Sequence, residues 1–118
     1  ALIEGLREPE ESCEARLPVL SPDFAPVTEA VLNKVTADFT GRQGFNIVPN
    51  NYEGVRVEAD SSHGSGWFLI RRSLHDPLMP VNIESDEKGG VSIIASALAD
   101  SLDTFETLDT GALKAIIK

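Results

Sequence analysis

Hydrophobic residues recur at helical spacing in two long stretches of the chain. The first follows the helix-start signal Ser21-Pro22-Asp23, stops near Gly41, and has these apolar positions: Phe24, Val27, Val31, Leu32, Val35 and Phe39. The second follows Gly89 and Gly90, and its apolar positions are Val91, Ile94, Ala95, Leu98 and Leu102. Apolar residues three and four positions apart form one face of a helix. The pattern therefore predicts amphipathic helices over about 24–39 and about 91–102, and a short last helix at about 110–117.

Between and before these helices, apolar and polar residues alternate as they do in β-strands. Residues 13–20 read as a strand, and Pro18 within it favours the edge of a sheet. A second β-rich stretch contains the alternating residues Phe45, Ile47, Val55 and Val57. The run Trp67–Ile70 is apolar on both faces, which is typical of a central strand. Residues 79–84 alternate again and predict a strand with one face in the core.

The order of these elements defines the predicted fold class. Strands joined by short turns, such as the turn D-S-S-H-G-S-G at 60–66, are expected to pair antiparallel. Two amphipathic helices must then cover the apolar face of the sheet. The sequence predicts an α+β protein, a two-layer sandwich of a four-stranded antiparallel sheet and two main helices. Residues 1–12 are expected to be the end of a preceding domain and an acidic linker, and residues 13–118 one domain.

Composition limits the classes of partner. The 118 residues include 19 acidic and 10 basic side chains, for a net charge of −9 at pH 7. This balance disfavours nonspecific binding to nucleic acid or to an anionic membrane, and no apolar run approaches the ~20 residues that span a bilayer. Cys13 is the only cysteine, so the chain has no internal disulfide and no cysteine-rich metal site. The two histidines, His63 and His75, do not have the spacing of a zinc site.

One short loop concentrates cations on this acidic chain. Residues 67–77 read W-F-L-I-R-R-S-L-H-D-P, so the apolar strand leads directly into Arg71, Arg72, Ser73, Leu74 and His75. A guanidinium offers a planar fork to phosphate oxygens, and a serine hydroxyl adds a neutral donor. The loop is therefore a candidate anion site, with Arg71 and Ser73 as its first ligands.

Each of these residues also has a simpler interpretation. Arg71 could pair with Asp76 or Glu84 in a surface ion pair of little energetic value. His75 could be a ligand or an ordinary surface histidine of the loop. Arg72 is expected to point away from Arg71, because side chains alternate along a strand, and to be solvated.

Four residues outside the loop are assigned ordinary structural roles. His63 is expected to be solvated in its glycine-serine turn, and Arg56 to face solvent on an alternating strand. Trp67 is expected in the core or on a face of the sheet, and not as a stacking platform for a ligand. Gly54 is expected to serve the backbone geometry of a turn.

The stretches N-Y-E-G-V-R-V (51–57), G-W-F-L-I-R-R-S-L-H-D-P (66–77) and V-N-I-E-S (81–85) together resemble the C-terminal domain of the α-D-phosphohexomutases. That family includes phosphoglucomutase, phosphomannomutase and phosphoglucosamine mutase, and the resemblance runs from about residue 13 to residue 102. It implies a TATA-box-binding-protein-like domain with a four-stranded antiparallel sheet. It also implies that the loop grips the phosphate of a bound hexose phosphate. Arg71 and Ser73 match the arginine and serine of the family's loop, while Leu74 replaces Gly or Asn and His75 replaces Thr.

The resemblance further implies a function shared with other domains of a parent enzyme, which interconverts hexose 1-phosphate and hexose 6-phosphate. The family's phosphoserine loop and its Mg²⁺ loop have no counterpart in these 118 residues, so this chain alone is expected to be inactive and Mg²⁺ to belong to the parent. The S-L-H-D-P form of the loop resembles a plant or algal plastid branch, which implies an intracellular protein of the plastid stroma. The alternative is a non-catalytic interaction or scaffold module that keeps the fold with an altered loop. An exposed Leu74 on the loop would favour this interpretation.

Overall fold

The computed structural model describes residues 9–48, 54–73 and 75–118. In chain order its elements are β1 (Glu11–Pro18), α1 (Phe24–Phe39), β2 (Phe45–Val48), β3 (Gly54–Ala59), β4 (Gly66–Arg71), β5 (Leu78–Ser85), α2 (Gly90–Leu102) and α3 (Gly111–Lys114). Of residues 1–12, predicted as the end of a preceding domain and a linker, residues 1–8 lie outside the described residues, and Glu11 and Ser12 belong to β1. The N-Y-E part of the first motif and Leu74 also lie outside the described residues. Both main helices and the final short helix are confirmed.

The five strands form one antiparallel sheet in the order β1-β5-β4-β3-β2. Helix α1 carries the chain from β1 at one edge to β2 at the other, and the next three strands return as a meander until β5 pairs with β1. Helix α1 packs on β2 and β3, and α2 packs on β1, β4 and β5. The α+β class is confirmed, with β1 at an edge and β4 in the centre as expected.

The prediction of four strands was wrong, because the stretch from Phe45 to Ala59 forms two strands. In the structure β2 and β3 pair antiparallel, from Phe45 opposite Ala59 to Val48 opposite Arg56. The apolar residues Phe45, Ile47, Val55 and Val57 all fall at odd positions, so the two strands share one phase of alternation on either side of the reversal of the chain. Periodicity reports which face a residue occupies and carries no information on where the strand turns back.

The core lies between the helices and one face of the sheet. Residues Met79, Val81 and Ile83 of β5 are at most 1% exposed, as the alternation predicts. From α1 the stripe Val31, Val35 and Phe39 is fully buried, and the ring of Phe39 meets that of Phe68 edge to face at 5.2 Å. Each large apolar side chain that is fully buried contributes roughly 1.5–3 kcal/mol, so these rows are the main reason the two layers hold together.

The opposite face of the sheet carries no helix among the described elements. On β4 the residues Trp67, Leu69 and Arg71 alternate with the buried Phe68 and Ile70 and therefore lie on this open face. No helix of the described residues is long and apolar enough to cross a membrane.

Candidate functional site

Strand β4 places the first candidate ligand, Arg71, at the end of the central strand. The strand pairs with β3 as far as Arg71 and with β5 as far as Ile70, so its backbone is held on both sides up to the residue before Arg71. Arg71 is its last residue and is exposed. The buried anchors Phe68 and Ile70 are 0% exposed and determine which face Arg71 occupies. The sequence thus presents a guanidinium to solvent from a rigid part of the fold.

The charge on Arg71 has no counterion within the described residues. The described ion pairs are those of Arg16 with Glu14, Lys34 with Asp38, His63 with Asp60, and Lys114 with Asp103. The simpler interpretation, that Arg71 pairs with Asp76 or Glu84, is therefore not observed. An exposed guanidinium without an intramolecular carboxylate remains able to bind an external anion.

Ser73 organises the loop that follows. Its Oγ accepts hydrogen bonds from the backbone N–H of Asp76 at 3.1 Å and of His75 at 3.4 Å. A hydroxyl oxygen has two acceptor positions and one hydrogen. With both positions used inside the loop, the hydroxyl hydrogen is the group that Ser73 can still offer to a ligand. Ser73 therefore suits a ligand that accepts hydrogen bonds, as phosphate does.

The far side of the loop is fastened to the edge strand. The N–H of Leu78 donates to the carbonyl of Asp76 at 2.8 Å, and the N–H of Val19 donates to the carbonyl of Pro77 at 2.7 Å. These bonds tie the loop both to the start of β5 and to the residue after β1.

The other candidate residues of the loop are placed differently. His75 is exposed and stays a candidate ligand. Arg72 is half-buried, and its Nε has no contact with solvent, so the prediction of a solvated Arg72 was wrong. The physical reason is that Arg72 follows Arg71 by one residue and its side chain leaves the exposed face that Arg71 occupies.

Gly54 lies directly opposite Arg71 in the pairing of β3 with β4. Gly54 was expected to serve the backbone geometry of a turn, but it is the first residue of β3, and its φ is not among the positive φ values of the described glycines. A special backbone conformation therefore does not explain this glycine.

His63 has partners that the sequence analysis missed. Its Nδ1 lies 2.7 Å from Oδ1 of Asp60, and its ring lies 5.1 Å from that of Phe45. The hydrogen bond with His63 is the main cause of a lowered pKa of the Asp60 carboxyl. The side chain of His63 is 37% exposed, so it keeps the expected contact with solvent and has these partners in addition. The D-x-x-H spacing in a turn was the available signal, since an aspartate often bonds within its own turn.

Trp67 lies on the open face of the sheet, at the opposite end of β4 from Arg71. A face of the sheet was one of the two positions expected for it, the other being the core. The guanidinium of Arg56 is stacked 4.2 Å from the centroid of its indole, a cation–π contact. Arg56 alternates with the buried Val55 and Val57, so it lies on the open face of the sheet as predicted and is half-buried there. A shallow cleft of about 550 Å³ lies beside Trp67 and includes Glu58, Asp60 and Asp86 in its lining. Within the described ranges, no group of three or more His, Cys, Asp or Glu residues could hold a metal ion.

Comparison of the chain with protein-family models gives no match, and comparison with curated proteins gives no significant match. The exposed guanidinium of Arg71 and the hydroxyl of Ser73 are therefore the local features on which a proposal of function can rest.

Proposed function

We propose that the loop after β4 binds the phosphate group of a sugar phosphate. The observation that carries this proposal is the exposed guanidinium of Arg71 at the end of the central strand, without an ion-pair partner in the described chain. Two residues later, Ser73 has its acceptor positions occupied and its hydrogen available. Arg71 would supply a charged fork and Ser73 a neutral donor, with His75 as a third donor at the exposed rim.

The acidic balance of the chain is compatible with such a site. Charges in solvent are screened over about 8 Å at physiological ionic strength, so a ligand in contact with Arg71 experiences this cation more strongly than distant carboxylates. The net charge of −9 disfavours polyanions such as nucleic acid, which would face many carboxylates at once. A ligand with a single phosphate and an uncharged sugar body avoids most of that repulsion.

The resemblance extends the proposal to a class of enzyme. The chain would be the C-terminal domain, of the TATA-box-binding-protein-like class, of a phosphohexomutase that interconverts hexose 1-phosphate and hexose 6-phosphate. It would hold the phosphate that is not reacting, and such remote binding orients the substrate for a reaction elsewhere. The phosphoserine and the Mg²⁺ would belong to other domains of the parent enzyme. No residue of this chain is assigned a catalytic role.

A titration followed by amide NMR tests the binding proposal. Adding inorganic phosphate, and separately glucose 1-phosphate, is expected to shift the amides of residues 71–76 in a saturable way. Arg71→Ala should remove these shifts. Lys88→Ala is the matched control, because it removes the same charge from an exposed residue just after the opposite end of β5.

The result also decides between the two functions that the sequence leaves open. Loop amides that stay unmoved at millimolar phosphate and millimolar glucose 1-phosphate would contradict the phosphate site. The non-catalytic interaction or scaffold module would then be the better account of this chain. Shifts that persist in Arg71→Ala would likewise contradict the assignment of Arg71 as the main ligand.

A further inference from the structure

We propose that Gly54 is a positioning residue for the phosphate site and acts through Arg71. This inference rests on the proposed function, since it concerns the same site. Gly54 would not touch the ligand. Its contribution would be to leave the space in which the side chain of Arg71 lies.

The geometry of the β3–β4 pair carries this inference. A Cβ atom placed on Gly54 would lie 2.8 Å from Cγ of Arg71, 3.0 Å from its Cα and 2.5 Å from the carbonyl oxygen of Ile70. Nonbonded carbon atoms prefer separations of about 3.5–4.0 Å. The aliphatic stem of Arg71 therefore lies directly against the backbone of Gly54, in a place that any other residue would fill.

The backbone contacts and the side-chain contact would respond differently to a side chain at position 54. The carbonyl of Ile70 and the Cα of Arg71 belong to the backbone of the central strand, so they can move only if the strand itself shifts. The stem of Arg71 belongs to an exposed side chain and can rotate away. A substitution at Gly54 is thus expected to change the direction of the guanidinium while Arg71, its charge and the loop sequence are all retained.

Other reasons for a glycine at this position are weak. Glycine loses more backbone entropy on folding than other residues and has no side chain to pack, so the start of β3 gains no stability from having a glycine there. Gly54 has no positive φ that would require a glycine. The remaining reason for a glycine is that Arg71 and Ile70 closely approach the backbone of Gly54. Of these two residues, only Arg71 carries a charged side chain that can bind an anion.

The wild-type chain itself provides a first test. If the stem of Arg71 lies on Gly54 in solution, a nuclear Overhauser effect should connect the Hα protons of Gly54 with the Hγ protons of Arg71. The Nε–Hε resonance of Arg71 should also shift on addition of inorganic phosphate. Absence of the Gly54–Arg71 contact in the folded, ligand-free chain would overturn the inference without any substitution.

The variant Gly54→Ala provides the second test. Its dissociation constant for inorganic phosphate is expected to rise about tenfold, the size of effect that follows from losing one charge-assisted hydrogen bond. The Nε–Hε resonance of Arg71 should already be displaced before phosphate is added, a change that a loss of global stability alone would not cause. Gly111→Ala is the matched control, because an added Cβ there meets only the carboxylate tip of Asp109, at 3.0 Å, and phosphate affinity should stay unchanged.

The outcomes separate this inference from the proposed function. If Arg71→Ala abolishes phosphate binding while folded Gly54→Ala binds as tightly as wild type, the positioning role is overturned and the phosphate site stands. If Arg71→Ala binds phosphate normally, the proposed function fails and the positioning role fails with it. Should Gly54→Ala not fold, the contact between Gly54 and Arg71 in the wild-type spectrum decides the question alone.

Discussion

The hydroxyl of Ser101 on α2 donates a 2.6 Å hydrogen bond to the carboxylate of Asp38 on α1, and this bond joins the two main helices beside the core. Lys34, one turn earlier on α1, donates to the same carboxylate oxygen. The hydrogen bond from Lys34, which has the larger effect, and that from Ser101 lower the pKa of Asp38 below its usual value. The helix layer is therefore held by a polar bridge as well as by apolar packing.

We predict that Ser101→Ala lowers the free energy of unfolding by about 1–2 kcal/mol, because Ser101 is only 4% exposed and a buried hydrogen bond to a charged group is worth roughly this amount. Urea denaturation at pH 7 measures the change. Ser96→Ala on the same helix is the control, since the hydroxyl group of Ser96 makes no hydrogen bond to the described residues. Equal stability of the Ser101 and Ser96 variants would contradict the bridge.

A second prediction concerns pH and the start of α2. The carboxylate of Glu11 on β1 accepts a 3.1 Å hydrogen bond from the N–H of Val91. Hydrogen bonds from the N–H groups of Gly89 and Val91 lower the pKa of Glu11 below 4.5. A lowered pKa in the folded chain means that the unfolded chain binds protons more readily. The stabilisation by Glu11 is thus fully present above about pH 5 and is lost as the pH falls through the folded pKa.

The variant Glu11→Gln should therefore reduce stability at pH 7 and have a smaller effect near pH 3, because protonation of Glu11 increases as the pH falls towards its lowered pKa in the folded chain. Denaturation curves at the two pH values measure this difference. Glu14→Gln on the same strand is the control, because Glu14 is exposed and forms only a 3.6 Å ion pair with Arg16. A Glu11→Gln effect that is the same at both pH values would rule out the charged cap.

A third prediction separates the two roles of Ser73. Ser73→Ala removes the oxygen that accepts from the N–H groups of His75 and Asp76, so both amides should exchange with solvent faster. Phosphate affinity should fall about tenfold, since a donor and the order of the loop are lost together. Ser73→Thr keeps the hydroxyl and should preserve most of the affinity. Hydrogen exchange by NMR and a phosphate titration measure the two effects, and unchanged exchange at His75 and Asp76 would contradict the loop geometry.

The helices were predictable because burial repeats along them without interruption. The stripe from Phe24 to Phe39 gave α1 with the boundaries found in the structure, since a surface helix must bury one continuous face. The same reasoning failed between Phe45 and Ala59. There the strand pattern was correct for both β2 and β3, but alternation does not record a reversal of direction.

For the site, the sequence identified the loop and not its internal arrangement. An arginine after a buried strand is visible in the sequence, and its exposure follows from alternation along β4. The Asp60 partner of His63 lies in the same turn, so its spacing was visible in the sequence. The burial of the Nε of Arg72 depends on residues outside its own strand, about which local periodicity carries no information. The close approach of Gly54 to Arg71 depends on the register between two strands, which the sequence alone left undetermined.

The most direct test of the central claim is a calorimetric titration of this chain with glucose 1-phosphate, with glucose as the ligand control. We predict saturable binding of glucose 1-phosphate, no saturable binding of glucose, a loss of at least tenfold in affinity for Arg71→Ala, and wild-type affinity for Lys88→Ala. The affinity of Arg71→Lys for glucose 1-phosphate should lie between those of wild type and Arg71→Ala, because lysine keeps the positive charge and lacks the planar fork of the guanidinium. Equal affinities of wild type and Arg71→Ala, or no saturable binding of glucose 1-phosphate at all, would contradict the claim.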